Sequence, residues 1–305
     1  MPNNSSPRPP VPVRGRRPDK QFDMNSATLA GVVQKLWGHN GDVFARLRVS
    51  RRSQLVEMED ARSSLINLRF TNGMVGDQDL SMQPGDVVRV TGYLSHTEFD
   101  ETIRNFLEAA RKPDFLDNVP REDLPAWQAI AFKRVNTMFN VETLELLDSQ
   151  KQEGGVINRV VLEGPIARQW THSEDVYLRL AVYDSHTRVT KEKGNYGRPR
   201  RLPHYLTILL PGGKTTGGRQ VVANVKDRLR VTGELQDHGY RRTLHEMLLA
   251  TGSSAVMELL QRLPNAGDLH TISAQQESLH VVASVVNLAV QGSIPVAIYF
   301  NCCAS

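Results

Sequence analysis

Residues 25–50 read NSATLAGVVQKLWGHNGDVFARLRVS, and residues 158–183 read NRVVLEGPIARQWTHSEDVYLRLAVY. Aligned without gaps at an offset of 133, ten of these 26 positions are identical: Asn25/Asn158, Leu29/Leu162, Gly31/Gly164, Trp37/Trp170, His39/His172, Asp42/Asp175, Val43/Val176, Arg46/Arg179, Leu47/Leu180 and Val49/Val182. Val33/Ile166, Lys35/Arg168 and Phe44/Tyr177 are conservative. The echo returns at an offset of 141, where residues 86–92 (DVVRVTG) face 227–233 (DRLRVTG), and Phe99, Thr102 and Ile103 match Tyr240, Thr243 and Leu244. This is duplication within one chain. The change of offset puts a longer loop in the second copy.

Each copy reads as short strands. Val43, Ala45, Leu47 and Val49 alternate with Phe44, Arg46, Arg48 and Ser50, and Val176, Leu178, Leu180 and Val182 alternate with Tyr177, Arg179, Ala181 and Tyr183. Period-two alternation marks strands with one face in a core. Ile66, Leu68 and Phe70 form the next inward set, as do Leu206, Ile208 and Leu210. Turns at Gly85-Asp86 and Lys226-Asp227 precede a fourth strand carrying Val88 and Val90, or Leu229 and Val231. A β-hairpin near 94–102 and 235–243 is expected to close each set. About five short antiparallel strands per copy predict an all-β protein of two tandem five-stranded barrels of the oligonucleotide-binding (OB) type.

Outside this core the copies are expected to differ. The first barrel spans 25–148, with an insertion at about 104–136 that includes a short amphipathic helix over about 126–134 and is followed by a closing strand over 138–150. A linker covers 149–157, the second barrel 158–252, and residues 253–305 form a C-terminal extension without counterpart in the first copy. Residues 1–24 are a basic, proline-rich tail expected to be disordered. Lacking an apolar core, the tail is not a secretory signal. The apolar stretch 279–300 contains His280, Asn287, Gln291 and Pro295, which favours buried strands over a membrane span. The two cysteines, Cys302 and Cys303, are adjacent and close no loop, which fits a reducing, cytoplasmic setting.

The chain's formal net charge is +4, but residues 158–252 alone carry +7, pointing to a polyanionic partner for the second copy. The outward residues of the first copy include Phe44, Arg46, Arg48, Arg69 and Arg89, and those of the second Tyr177, Arg179, Tyr183, Tyr205 and Arg230. Aromatic rings and guanidinium groups on one sheet face suit single-stranded nucleic acid, whose bases stack and whose phosphates need cations. Packing of Phe44 and Tyr177 under a loop or against another subunit is the other reading. Residues 186–201, HTRVTKEKGNYGRPRR, set Arg188, Lys191, Lys193, Tyr196, Arg198, Arg200 and Arg201 against one acid, Glu192, in a long loop able to fold over a bound strand. The equivalent loop, 50–64, mixes Arg51, Arg52 and Arg62 with Glu57, Glu59 and Asp60, and should bind more weakly. Trp37 and Trp170, in loops after the first strand of each copy, either stack on a base or cap the barrel end. His39/Asp42 and His172/Asp175 suit turn hydrogen bonding better than a metal.

Residues 205–218, YLTILLPGGKTTGG, imitate a phosphate loop, but Ile208 stands where that pattern needs a glycine, and no helix should follow. No catalytic constellation, cofactor or metal is expected.

The chain resembles the bacterial single-stranded DNA-binding protein family. The resemblance rests on 158–164 (NRVVLEG) as an opening strand, 178–183 as the second and 227–235 (DRLRVTGEL) as the fourth, with 25–31 and 85–94 in the first copy and 141–150 (VETLELLDSQ) as a closing strand. It covers about 200 residues. It implies four assembled barrels, hence a homodimer of this two-barrel chain, with aromatic residues stacking on bases. Residues 296–305, VAIYFNCCAS, depart from that family's acidic tail, so recruitment of replication or repair proteins by that route is not implied. The tryptophan-rich third strand is represented only by 65–70 and 205–210, which weakens stacking through it. The expected activity is non-enzymatic coating or protection of single-stranded DNA in replication, recombination or repair, RNA remaining open. The competing expectation is an assembly module of a replication or mobile-element complex, whose barrels bind proteins.

Overall fold

The computed structural model describes residues 22–51, 63–70, 82–147, 157–193, 199–263 and 266–289. In the first half, β1 (Asn25–His39), β2 (Asp42–Ser50), β3 (Ser63–Phe70), β4 (Val87–Thr102) and β5 (Ala131–Leu147) pair in a ring. β1 pairs with β2, β2 with β3, β3 in parallel with β5, β5 with β4, and β4 with β1 again. The second half repeats the ring with β6 (Asn158–His172), β7 (Asp175–Val182), β10 (His204–Leu210), β12 (Ser273–Leu288) and β11 (Arg228–Thr243). Closure leaves neither barrel a free sheet edge. An added two-stranded ribbon, β8 (Arg188–Lys193) with β9 (Pro199–Leu202), lies between β7 and β10.

The alternation in the sequence drives this closure. Ala45, Leu47, Val49, Ile66, Leu68 and Phe70 fill the first interior, and Leu178, Leu180, Val182, Leu206, Ile208 and Leu210 the second. The repeated turns act alike: Gly85 and Lys226 both have positive φ, and their N–H groups donate to the carbonyls of Val33 and Ile166 at 2.8 Å.

Two expectations change at the fourth and fifth strands. No separate hairpin occupies 94–102 or 235–243, because β4 and β11 are each single 16-residue strands. Bulges at Thr91/Gly92 and Thr232/Gly233 let each strand bend and leave the barrel as one arm of a long hairpin. The last fifty residues do have a counterpart in the first copy: β12 pairs with β11 and β10 as β5 pairs with β4 and β3. Period-two patterning hid this, since the polar run before His280 belongs to the exposed arm.

The insertion also moves. It runs from α1 (Ile103–Ala109) through a 3-10 turn (Pro113–Asn118) to α2 (Leu124–Gln128), and β5 begins at Ala131 rather than 138. Residues 131–134 are strand because Phe132 pairs with Glu101 and Arg134 with Phe99. The second copy has its own insertion at the same place, with α3 (Leu244–Ala250), α4 (Ser254–Arg262) and a 3-10 turn (Ala266–His270). Thr102 and Thr243 cap α1 and α3 by accepting from the N–H groups of Asn105 and Glu246. The two insertions pack on each other in a second core holding Phe106, Leu107, Trp127, Phe132, Met247, Leu248, Leu259 and Leu269. No described helix is long and apolar enough to cross a membrane.

The barrels are joined by β1 and β6, antiparallel, with Asn25 opposite Leu162, Ala27 opposite Val160 and Leu29 opposite Asn158. Asn25/Asn158 and Leu29/Leu162 are equivalent in the repeat, so the outer two pairings are the same contact seen twice. A pseudo-two-fold axis therefore passes through Ala27 and Val160, and one chain holds an isologous interface of the kind usual in homodimers. Residues 1–21 of the N-terminal tail, the linker over 149–156, most of the first-copy loop and residues 290–305 with both cysteines lie outside the described residues, while the end of the tail is ordered, with Asp23 buried against Arg228.

Candidate nucleic-acid interface

Trp37 and Trp170 stand within β1 and β6 rather than in loops after them, because each first strand runs on to the histidine. A β-bulge at Val33/Lys35, repeated at Ile166/Arg168, precedes each tryptophan. Trp37 pairs across the ladder with Phe44, and Trp170 with Tyr177. Both pairs are stacked, with centroids 5.6 Å apart at 13° and 5.4 Å apart at 10°. Asn40 and Gly41, both at positive φ, make the tight turn that holds the first pair in register. Asp42 accepts from Arg69 Nε at 2.8 Å, and Asp175 from the Gly212 N–H at 3.0 Å, so the repeated aspartates serve structure.

Cations converge on the tryptophans. Lys35 Nζ lies 5.9 Å from the Trp37 ring, and the Arg168 and Arg179 guanidiniums lie 5.6 and 5.3 Å from Trp170. Neither Arg168 nor Arg179 has a described carboxylate within ion-pair distance. Burial, and then the like charge of Arg168, lower the Arg179 pKa. Its Nε is buried without a hydrogen-bond partner. Glu98 opposes that shift without forming an ion pair, so the corner keeps two guanidiniums that no described carboxylate holds.

The first barrel differs. Arg46 Nε donates to Asn67 at 3.0 Å, Arg69 is held by Asp42, and Arg89 by Glu145 at 3.0 Å. Among its named arginines Arg48 is exposed. Arg89 and its counterpart Arg230 lie on β4 and β11, across β1 and β6 from the tryptophan pairs, and Arg230 approaches Glu163 at 3.9 Å. They do not join the tryptophan face.

Three further aromatic candidates differ in exposure. Tyr177 is only 7% exposed, since Trp170, Leu209 and Val282 cover it, so Trp170 is the ring the second barrel presents. That burial, with Asp175 adding, raises the Tyr177 pKa. Tyr205 turns toward the first barrel, its N–H donating to His96 Nδ1 at 3.0 Å. Tyr183 is 38% exposed, and its N–H donates to Asp23 at 2.8 Å.

The basic loop is partly ordered as the β8–β9 ribbon. Arg188 is exposed there, and Arg201 lies 4.9 Å over the Phe22 ring. Lys191, Lys193 and Arg200 fall on its strands, while Tyr196 and Arg198 lie outside the described residues. In the first-copy loop, Arg51 is spent on Asp237 of the second barrel at 2.9 Å.

Sequence reasoning missed Lys35, Arg168, His238 and His280. The first two carried a signal, as basic residues two before each tryptophan. His280 gave none. It reaches the face only because β12 lies beside β10, placing its ring edge-on to Tyr177 at 5.7 Å and stacked with His238 at 5.9 Å. The phosphate-loop imitation opens no helix: Pro211–Gly213 is a 3-10 turn and Lys214 bridges to Gln220.

Neither a protein-family model nor a curated protein sequence matches the chain. Among solved structures, a deletion mutant of the single-stranded DNA binding protein from Thermus aquaticus matches 90% of this chain and 98% of its own, at 14% identity and a TM-score of 0.47. The wild-type protein from the same organism matches 90% of this chain and 97% of its own, at 12% identity and a TM-score of 0.47. The chain is thus similar, over nine-tenths of its length, to the single-stranded DNA binding protein of Thermus aquaticus.

Proposed function

We propose that the chain is a non-enzymatic single-stranded DNA-binding protein that coats or protects the strand in replication, recombination or repair. The observation that carries this reading is Trp170, half-buried on Tyr177 and flanked by Arg168 and Arg179. A base stacks on the exposed part of such a ring while its phosphates take the guanidiniums. The guanidinium–indole contacts are worth only about 0.5–1 kcal/mol each at exposed sites, so a base displaces them or stacks on the guanidinium itself. The equivalent corner at Trp37 and Lys35 offers a weaker second step. The β8–β9 ribbon, with Arg188 and Arg201, serves as a clamp in this reading, and two copies associate to present four barrels.

The test is a fluorescence titration with labelled oligo-dT at two salt concentrations, with duplex DNA and oligo-rU as competitors. Tight, salt-sensitive binding that duplex does not displace supports the reading, and its salt slope counts phosphate contacts. Absence of binding at low salt overturns it and moves the weight to a protein-assembly role. Sedimentation equilibrium reads the copy number directly.

A further inference from the structure

The pseudo-two-fold is broken where the barrels meet away from the β1–β6 seam. On one side, Arg51 donates to Asp237 Oδ1 at 2.9 Å and to the Asp237 carbonyl at 3.0 Å, tying the first barrel to β11. By the repeat offsets, the positions equivalent to Arg51 and Asp237 are Asp184 and His96. On that side β4 meets β10 through rings instead of a permanent ion pair. The Tyr205 N–H donates to His96 Nδ1 at 3.0 Å, and the His96 and His204 rings meet edge-on at 5.9 Å. Tyr93 stacks on His186 at 3.7 Å and lies 6.4 Å from His204.

The chemistry of this contact depends on neutral imidazole. His96 accepts an N–H through Nδ1, so its own proton sits on Nε2. Protonating Nδ1 would set a donor against a donor. Neither ring nitrogen of His204 has a hydrogen-bond partner, and both are buried. Asp184 Oδ1 lies 3.6 Å from His204 Nε2 but already accepts from the His186 N–H at 3.0 Å and the Thr187 hydroxyl at 3.1 Å. Glu142 is engaged by His186 at 3.0 Å. The remaining charged groups that act here are Glu98, which favours protonation of His96, Arg179, which opposes it, and Arg69 beside Tyr93.

We propose that the His96–His204 contact between β4 and β10 is an acid-opened latch between the two barrels, while Arg51–Asp237 and the β1–β6 ladder stay shut. Burial, then the neighbouring His204, lowers the pKa of His96; burial, with His186 adding, lowers that of His204 against the opposing pull of Asp184. Histidines held neutral in the folded state stabilise it fully above their ordinary value of about 6.5 and lose that contribution as the pH falls below it. Each pH unit below about 6.5 shifts opening by up to about tenfold per histidine.

Hydrogen exchange on the full chain at pH 7.5 and 5.5, corrected for intrinsic rates, tests the latch. In the wild type, peptides spanning 93–98 and 204–208 should lose protection by up to about tenfold per histidine at pH 5.5. Peptides spanning 25–29 and 158–162 should keep theirs. His96→Asn offers an acceptor at the δ position that does not titrate, and should reduce the response of the junction peptides to the part carried by His204. Unchanged junction protection in the wild type, equal loss in the β1–β6 peptides, or a His96→Asn response matching the wild type would overturn the proposal. If that variant does not fold, the wild-type contrast between the two sets of peptides decides alone.

Discussion

The carboxamide of Asn158 and the main chain of Leu235 exchange two hydrogen bonds: Nδ2 donates to the carbonyl at 2.9 Å and Oδ1 accepts from the N–H at 2.8 Å. Backbone pairing of β6 with β11 ends at Val160 opposite Gly233, and the side chain continues it while its own backbone faces Leu29 of the other barrel. Asn25 does the same to Leu94 at 2.7 and 3.0 Å. The asparagine identical in both copies is thus the joint between closing one barrel and pairing with the next.

Asn158→Ala leaves a buried N–H and carbonyl unpaired and should cost about 1–3 kcal/mol. Asn25→Ala, at a less buried joint, should cost less. Urea denaturation of both variants checks the order. A loss below about 0.5 kcal/mol for Asn158→Ala would mean that water replaces the carboxamide.

Gly233→Ala places a Cβ 2.3 Å from the Val282 carbonyl oxygen, and Gly92→Ala places one 1.9 Å from that of Asn140. Both contacts are with backbone, so the bulge itself must shift. Each substitution should destabilise by about 1–3 kcal/mol, read as a lower thermal midpoint. An unchanged midpoint would show that the two strands separate there at little cost.

Trp170→Ala should weaken oligo-dT binding by about 1–3 kcal/mol, roughly five- to 150-fold, and Trp37→Ala by less. The order follows from the unpaired Arg168 and Arg179 around the first ring and the acid-paired Arg69 and Arg89 of the other barrel. Equal losses would make the two faces equivalent, and none would remove the stacking mechanism. Folded content by circular dichroism separates a binding defect from a folding defect.

His280 supplies a pH prediction of its own. Burial, then His238 and Arg179, lower its pKa to about 4. Being held neutral, it contributes fully above about pH 6.5, and about 3 kcal/mol of stability is lost as the pH falls from there to 4. His280→Gln should flatten that part of the stability profile. A variant whose profile falls as steeply as the wild type's would show that other groups carry the acid response.

The barrel strands were legible wherever burial is one-sided. Ala45, Leu47 and Val49, with Leu178, Leu180 and Val182, announced both second strands by alternation. In the second ring the inner half of the fifth strand was legible as part of the apolar stretch from 279, but its place in the ring and its outer half were not, because the polar outer half rides an exposed arm. Nor could alternation tell which outward rings stay open. Phe44 and Tyr177 occupy equivalent positions, yet only Tyr177 is covered, by residues of β10 and β12 about thirty and a hundred positions away.

The sequence by itself determined the duplication, the strand periodicity, the turn positions and the basic balance of the second copy, since these depend on residues close together along the chain. Tertiary structure alone decided that β1 and β6 form a pseudo-two-fold seam, and that the two insertions share a core. It also set histidines against rings at one inter-barrel contact and an ion pair at the other. Those outcomes depend on which surfaces meet after each barrel closes, and local patterning carries no record of that pairing.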